Sequence, residues 1–138
     1  MQRKGAILKQ VSAWEESGVE IPAPYRRQIK VLFAPDKGGV EELTFSHAIL
    51  PPAGCTDYHV HDRPELIYVV SGSGICLHEG EETIVREDMA LWVEKGEHHQ
   101  MINTGEVPLK LATVFVPAYT ASQNYNRCLE AAEAAGRP

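Results

Sequence analysis

The sequence predicts an all-β fold, either a sandwich or a barrel, that ends in a short helix. Many short apolar runs follow one another at a spacing of about 8–12 residues, with no long helical period between them. Turn-forming segments separate the runs, for example SGSG at residues 71–74 and EKGEHH at residues 94–99. The segment Asn126–Ala135 is rich in Ala and Glu and lacks Gly and Pro, which predicts a helix that ends at Gly136.

The chain divides into three segments around this β domain. Pro22 and Pro24 exclude a continuous helix from residues 1–24, which we interpret as an extended N-terminal segment. The β domain covers residues 25–117, and a tail with the short helix covers residues 118–138. The predicted strands are, in chain order, Gln28–Phe33, Val40–Leu50, Cys55–His61, Glu65–Ser71, Gly74–His78, Glu82–Arg86, Ala90–Val93, Gln100–Asn103 and Leu109–Val116.

Composition and charge exclude several classes of partner. The 138 residues are 43% hydrophobic and carry a net charge of −6, which suits one soluble domain. There is no cluster of Lys and Arg, which argues against binding to nucleic acid or to an anionic membrane. No apolar run approaches the roughly 20 residues that span a bilayer, and the N-terminal segment lacks the apolar core of a signal peptide. The three cysteines are widely spaced, so we expect no disulfide framework and a cytoplasmic location.

Histidines and one glutamate form a candidate metal site. His59 and His61 are two residues apart, so on a strand they point to the same face. Glu65 opens the next predicted strand after a bend, and its carboxylate can return to that face. This mixed nitrogen and oxygen set suits Fe, Mn, Ni, Co or Zn as the divalent ion better than Ca or Mg. The alternative, a solvated and inert histidine pair, accounts less well for Glu65 and the apolar LIYVV after it.

The segment from Gly54 to Gly72 resembles the first motif of the cupin superfamily, G-x(5)-HxH-x(3,4)-E-x(6)-G. The spacing of His59, His61, Glu65 and Gly72 matches this pattern, whereas four residues rather than five separate Gly54 from His59. The difference lies at a turn position and leaves the ligand-type residues unchanged.

A second segment, residues 88–103, resembles the second cupin motif, G-x(5)-P-x-G-x(2)-H-x(3)-N. Gly96, His99 and Asn103 match, whereas Asp88 and Glu94 replace the leading glycine and the proline. His98 and His99 are neighbours, so only one of them can face the interior. The spacing from Gly96 selects His99, and we expect His98 to point outward.

The resemblance implies a single double-stranded β-helix, the jelly-roll barrel of cupins, over residues 25–117. It also implies one divalent transition metal (Fe, Mn, Ni, Co or Zn) held by His59, His61, Glu65 and His99, with one or two positions open for water, O₂ or substrate. Homodimers are the expectation for the family. Residues 1–24 would then supply an edge strand exchanged between two copies.

Other residues are candidates for the pocket around the ion. His47 shares its strand parity with Phe45 and could face the interior as a general base, although a core histidine is the alternative. Arg27 could anchor a substrate carboxylate or belong to a solvated turn. Cys55 could be a fifth ligand or a small buried filler. The expected pocket walls are Phe45, Met101, Asn103 and Phe115, with Leu77 and Trp92 as further candidates.

The resemblance leaves the reaction open, because cupins support many chemistries. We expect a small-molecule metalloenzyme, with dioxygenase-type chemistry on an organic acid or carbonyl compound as the first hypothesis. A redox-silent lyase, isomerase or cyclase that uses the metal as a Lewis acid is the second. A non-catalytic barrel that binds a small molecule is the third. In each case the expected partner is a small molecule.

Overall fold

Two antiparallel β-sheets form the body of the protein in the computed structural model, which describes residues 5–136. The predicted all-β fold with a short C-terminal helix is confirmed. A 3-10 turn at Ala13–Glu15 precedes the strands, and the helix α1 (Ala121–Ala135) follows them. The strands are β1 (Val19–Ile21), β2 (Arg27–Phe33), β3 (Thr44–Leu50), β4 (Glu65–Ser71), β5 (Ser73–His78), β6 (Glu81–Arg86), β7 (Ala90–Val93), β8 (His99–Ile102) and β9 (Leu109–Phe115).

The larger sheet has the strand order β1-β2-β3-β9-β4-β7 and the smaller one β6-β5-β8. Residues of even and odd number alternate between the two faces of each strand, and the inner rows meet in one apolar core. This core contains Leu50, Ile67, Val69, Cys76, Val85, Val93, Met101, Leu109 and Leu111. Gly72 joins β4 to β5 with a φ of 87°, and a Cβ there would lie 2.5 Å from the carbonyl oxygen of Pro108. The glycine of the first motif is therefore required by the turn.

The inner row of β3 differs from the one that we expected. Ser46 pairs with Thr113 of β9, and their hydroxyl oxygens lie 2.8 Å apart in the interior. Phe45 and His47 therefore lie on the opposite face of the strand, where their rings contact each other. The prediction that both face the interior is wrong. Apolar residues occur on both faces of this strand, so its alternation could not identify the inner row, and only the pairing with β9 decides it.

The segment Cys55–His61, predicted as a strand, forms only isolated bridges. Cys55 pairs with Ile102, and His59 pairs with His99. Between these bridges the Thr56 hydroxyl accepts a hydrogen bond from the backbone N–H of Met101. A side-chain hydrogen bond thus replaces part of the backbone pairing that a regular strand would make, and the two bridges still hold this segment beside β8.

The N-terminal segment contributes an edge strand to its own chain. β1 pairs with β2 through Val19 and Ile29, at one edge of the larger sheet. Exchange of this segment between two copies stays a prediction, as does the homodimer. The first four residues of the extension and the last two of the tail lie outside the described residues. The outer face of the larger sheet carries Trp92, which is 57% exposed and therefore is not a pocket wall.

The helix α1 begins at Ala121, five residues earlier than the sequence predicts. Thr120 and Gln123 form a capping box, which satisfies backbone groups that the first turn would otherwise leave unpaired. The carboxylate of Asp36 also accepts hydrogen bonds from the backbone N–H groups of Ala121 and Ser122. Within the described part of the chain, no helix has the length and apolar character needed to cross a membrane.

The buried side of α1 packs on the larger sheet. Cys128 and Ala132 contact Ile21 of β1 and Ile29 of β2 in a small apolar cluster. The Tyr125 hydroxyl accepts a hydrogen bond of 2.7 Å from the backbone N–H of Val31. The helix is thus fixed over one opening of the barrel, with its N-terminal half next to the interior.

Candidate metal centre

The structure brings together the four residues that the sequence predicts as ligands. His59, His61, Glu65 and His99 each offer one donor atom, and these atoms all lie within 4.8 Å of one another. His59 and His61 come from the bridged segment before β4, Glu65 begins β4, and His99 begins β8. Glu65 Oε1 lies 2.9 Å from His99 Nε2 and 3.6 Å from His61 Nε2.

Backbone carbonyls orient two of the imidazole rings. Nδ1 of His59 lies 2.6 Å from the carbonyl oxygen of Asp57, and Nδ1 of His99 lies 3.2 Å from that of Glu97. A ring that donates its Nδ1–H to a carbonyl keeps Nε2 as the metal-binding nitrogen. Nε2 of His61 is buried and makes no hydrogen bond to the residues that the structure describes. An orphaned nitrogen between two other imidazoles and a carboxylate fits a divalent transition ion, so the cluster could hold one.

The protonation of the rings supports the same interpretation. Burial, followed by the charge of Arg127, lowers the pKa of His59 to about 3. Burial also lowers the pKa of His61 to about 3, although the charge of Glu65 opposes the shift. Burial is also the largest influence on His99 and acts in the same direction, but the hydrogen bond and charge of Glu65, together with the hydrogen bond to the Glu97 carbonyl, outweigh it and raise the pKa. Two of the imidazoles are thus neutral and ready to bind an ion at neutral pH.

A cavity of about 50 Å³ opens beside these donors. Its apolar lining includes Ile67 of β4, Met101 of β8, and Leu111 and Phe115 of β9. The hydroxyls of Ser46 and Thr113 add a polar patch on the wall that the larger sheet forms. This volume holds a few water molecules or the reacting end of a small organic molecule.

Two arginines that line the cavity share the carboxylate of one aspartate. Arg27 and Arg127 both line the cavity, and Asp57 lies between them. Arg127 donates to both carboxylate oxygens of Asp57, at 3.0 and 3.3 Å, while Arg27 Nη2 is 3.7 Å from Asp57 Oδ1. Burial opposes ionisation of Asp57, but the hydrogen bonds from Arg127 and the charges of His59 and Arg127 together outweigh it and lower the pKa of the carboxyl.

A second cavity, of about 200 Å³, lies against the same helix. Tyr119, Gln123, Asn124 and Arg127 line it, and Asn124 and Arg127 also line the inner cavity. The Tyr119 ring contacts the rings of His61 and Phe115, and the guanidinium of Arg63 stacks on it. This second, outer cavity therefore shares two residues of α1 with the inner cavity, and the Tyr119 ring that lines it contacts the donor His61.

The other predicted pocket residues divide into two groups. Met101, Phe115 and Arg27 line the inner cavity, as expected. Asn103 is buried but does not belong to the pocket, because its amide donates to the carbonyls of Leu50 and Val107 and holds a turn together. Sequence reasoning could not separate this structural role from a pocket role, since both bury the side chain.

Three further candidates lie outside the donor set. The thiol of Cys55 faces the carbonyl oxygen of Pro24 at 3.6 Å, so Cys55 is not a fifth donor. Leu77 is half-buried in the smaller sheet, away from the residues that line the inner cavity. His98 points away from the donors, as predicted, and its ring stacks on that of Tyr58 and lies near Glu79.

Sequence reasoning missed Asp57, Asn124 and Arg127. The last two lie on α1, in a tail that we considered separate from the barrel. One signal in the sequence could have identified Asn124 and Arg127. Asn124 and Arg127 are three residues apart, so on a helix they share a face with the apolar Cys128. A face that is half apolar and half polar is typical of a helix that covers a site.

Comparisons with known proteins agree with this geometry. The sequence is 28% identical over 111 residues to the tetracenomycin polyketide synthase protein TcmJ of Streptomyces glaucescens, a match that covers 78% of this chain and 74% of that protein. It is 26% identical over 73 residues to an oxalate-binding protein of Thermotoga maritima, which covers 52% of this chain and 60% of that protein.

Solved structures show the same fold. The polyketide cyclase RemF of Streptomyces resistomycificus superposes with a TM-score of 0.71 at 20% identity, over 80% of each chain. A predicted oxalate decarboxylase of Thermotoga maritima also gives 0.71 at 20% identity, over 78% of this chain and 98% of its own. These likenesses confirm the predicted jelly-roll barrel. The family model for the cupin domain matches residues 46–116, and this segment contains the whole donor set. The chain therefore belongs to the cupin family.

Proposed function

We propose that this protein is a metal-dependent enzyme that acts on a small, enolisable carbonyl compound without changing the oxidation state of its metal. The observation that carries the proposal is the position of the four donors, His59, His61, Glu65 and His99, which lie within 4.8 Å of one another beside a largely apolar cavity. A divalent ion held there supplies Lewis acidity, which polarises a carbonyl oxygen and favours loss of a proton from the neighbouring carbon.

The chain itself supplies positioning, exclusion of water and a proton acceptor. Met101, Leu111 and Phe115 keep the inner cavity apolar, which strengthens electrostatic interactions inside it. Ser46 and Thr113 share one hydrogen bond between their hydroxyls, which leaves one hydroxyl proton of the pair for a substrate oxygen. Glu65 lines the cavity with a carboxylate, and a carboxylate that holds an ion through one oxygen keeps the other for a proton.

The relatives support redox-silent chemistry as the first candidate. RemF is a polyketide cyclase, and TcmJ is a protein of a polyketide synthase. Cyclisation of a polyketide begins with loss of a proton next to a carbonyl, which is the step that this pocket can assist.

Dioxygenase chemistry is the second candidate, favoured by the apolar lining beside a mixed nitrogen and oxygen donor set. Such a set also binds Fe(II), and an apolar cavity suits O₂ next to an organic substrate. The two candidates require different metals and different co-substrates, so one experiment separates them.

The test uses pentane-2,4-dione, a small and neutral 1,3-diketone, with protein loaded with Zn(II) or Fe(II). Under argon in deuterated buffer, the Zn(II) protein is expected to accelerate deuterium exchange at the central carbon above the rate with buffer and Zn(II) alone, as followed by proton NMR. Turnover that requires Fe(II) and consumes one O₂ per substrate would instead support the dioxygenase.

A matched pair of variants controls for metal in solution. His99→Ala removes a donor, whereas His98→Ala changes the neighbouring residue, whose side chain is 52% exposed. Exchange should be lost in the first variant and kept in the second. Equal exchange in both would assign the catalysis to unbound metal and contradict the proposal.

A further inference from the structure

An excess of positive charge lies beside the donors. Arg27 and Arg127 line the inner cavity, and the carboxylate that faces both of them is that of Asp57. The side chain of Arg27 is 2% exposed and that of Asp57 11%. One carboxylate thus faces two guanidinium groups, of which that of Arg27 is buried while the Arg127 side chain is 31% exposed. A buried charge without a counter-ion is costly. A divalent ion held by three neutral imidazoles and Glu65 would add a further positive charge.

Polar groups on α1 remain available for a ligand. Nε of Arg127 is buried and makes no hydrogen bond to the described residues. Asn124 is 8% exposed and lines both cavities, and its side-chain amide bonds to none of the residues that the structure describes. A buried guanidinium N–H nearly always has a partner, and an amide on a cavity wall is open to a ligand. Both side chains are three residues apart, on one face of the helix, and both donate N–H groups.

We propose that Arg127 and Asn124 form a binding site for the carboxylate of a substrate or ligand. The carboxylate would accept hydrogen bonds from the Arg127 guanidinium and the Asn124 amide, and the carbonyl end would reach the metal donors through the inner cavity. Asp57 acts as a positioning residue, because its two hydrogen bonds hold the guanidinium in place. This inference rests on the proposed function, whose substrate class it narrows to carbonyl compounds that carry a carboxylate.

The size of the two cavities supports a small ligand that spans them. About 50 Å³ beside the donors and about 200 Å³ beyond Asn124 and Arg127 are both below the roughly 300 Å³ at which pockets for drug-sized molecules begin. The aromatic ring of Tyr119 closes one side of the outer cavity. A ligand of a few carbon atoms places its carboxylate at the helix and its carbonyl at the donors.

The test compares two molecules that differ in one group. Acetoacetate and pentane-2,4-dione share a methyl ketone and a central carbon, but the first ends in a carboxylate and the second in an acetyl group. Binding to protein loaded with Co(II) is measured by calorimetry and by the visible absorption of the ion. We expect Arg127→Gln to weaken the binding of acetoacetate by about tenfold to a hundredfold, which is the usual contribution of a hydrogen bond to a charged group. The affinity for pentane-2,4-dione should change by no more than about twofold.

A matched control removes the same charge elsewhere. Arg86 lies on β6, is exposed, and lines neither cavity. Arg86→Gln should therefore leave the binding of both molecules unchanged. Loss of affinity for both molecules in Arg127→Gln, or for neither, would overturn the carboxylate site.

Two further variants keep the proposal testable if Arg127→Gln fails to fold. Asn124→Ala removes the second hydrogen-bond donor of the carboxylate site and should weaken the binding of acetoacetate by about fivefold. The affinity for the diketone should again stay unchanged. Arg127→Lys keeps the charge and should retain part of the affinity. An unchanged affinity for acetoacetate in Asn124→Ala, together with full affinity in Arg127→Lys, would overturn the proposal.

The outcome for the carboxylate site is separate from the outcome for the proposed function. Acetoacetate that binds in an Arg127-dependent manner without any deuterium exchange would leave the carboxylate site standing and contradict the enzyme. Exchange of pentane-2,4-dione with no preference for acetoacetate would support the enzyme and contradict the carboxylate site.

Discussion

The donor wall of the pocket comes from the barrel and consists of His59, His61, Glu65 and His99. The guanidinium wall comes mostly from the C-terminal helix and consists of Arg27, Arg127 and the amide of Asn124. Two bridges and a sheet hold the donor wall in place through backbone hydrogen bonds. The guanidinium wall depends on the docking of α1 through side chains, including Cys128 and Ala132.

This difference assigns separate tasks to the two walls. A metal site needs donors fixed within a fraction of an ångström, and the first residues of β4 and β8, together with the two bridges beside them, provide that precision. Recognition of a substrate needs a surface that can vary, and a docked helix can change its exposed residues while the barrel stays intact. The donor wall would thus support the chemistry, and the guanidinium wall would select the molecule.

The largest expected effect comes from removal of a donor. His99→Ala should weaken binding of Zn(II) by about a thousandfold, since three ligands would have to replace four. His98→Ala, with its exposed ring, should bind Zn(II) like the original protein. Competition with a chromophoric chelator measures both affinities. Normal zinc affinity in His99→Ala would remove this residue from the donor wall.

Removal of Asp57 should destabilise the junction of the two walls. Asp57→Asn leaves Arg27 and Arg127 without a shared carboxylate, and we expect a loss of about 3 kcal/mol in the free energy of unfolding. Arg127→Gln added to this variant should restore part of the stability, because one unpaired guanidinium disappears. Urea unfolding of both single variants and of the double variant measures the coupling. Strictly additive losses would show that the pair contributes no specific interaction.

Acid should destabilise the metal-free protein through the donor wall. The pKa values of His59 and His61 are lowered to about 3, so below the unfolded value of 6.5 the unfolded chain takes up protons that the folded chain does not. His99 acts in the opposite sense. Its raised pKa adds stability that is fully present below 6.5 and lost as the pH rises through its folded value.

We expect the effect of His59 and His61, whose pKa values are lowered, to exceed that of His99. The free energy of unfolding should therefore fall by about 2 kcal/mol between pH 7 and pH 5. Thermal unfolding of protein that a chelator has freed of metal, followed across this pH range, measures the loss of stability. The variant His59→Gln should show a weaker dependence on pH. A melting temperature that rises on acidification would contradict the burial of neutral imidazoles in the donor wall.

The anchor of the helix tests the guanidinium wall alone. Asp36→Ala removes the acceptor for the first backbone N–H groups of α1, and we expect a loss of about 1 kcal/mol in the free energy of unfolding. The pKa of Asp36 is lowered because these backbone hydrogen bonds outweigh the effect of burial. This stabilisation is therefore present above the unfolded value near 3.8 and is lost as the pH falls through the folded value.

Binding experiments with Asp36→Ala separate the walls. Affinity for Zn(II) should stay unchanged, while affinity for acetoacetate falls as the helix frays. Chemical denaturation and calorimetry measure the two quantities. A loss of zinc affinity in this variant would mean that the donor wall also depends on the helix.

The smallest effect is expected at His47. Its ring lies on the outer face of β3 beside Phe45, so His47→Gln should leave metal affinity, acetoacetate affinity and deuterium exchange unchanged. The change in stability should stay within about 0.5 kcal/mol. A fall in exchange rate at unchanged zinc affinity would restore His47 as a base that acts on the substrate.

The sequence by itself determined the all-β fold and the donor wall. His59, His61, Glu65 and His99 occur at the spacings of two short motifs that resemble those of cupins, and the ligand role of all four follows from that resemblance. Gly72 was predictable for a similar reason, since its turn needs a positive φ. Local rules suffice wherever the partners are joined by a few residues of regular backbone.

Only the tertiary structure decided the inner row of β3 and the guanidinium wall. Ser46 rather than His47 faces the cavity because β3 pairs with β9, which follows more than sixty residues later. Arg127 meets Asp57 across 70 residues of chain because α1 docks on β1 and β2. Contacts between distant segments depend on how whole elements pack, and apolar packing is not directional. The alternation of residues along one strand or one helix therefore does not identify the partner.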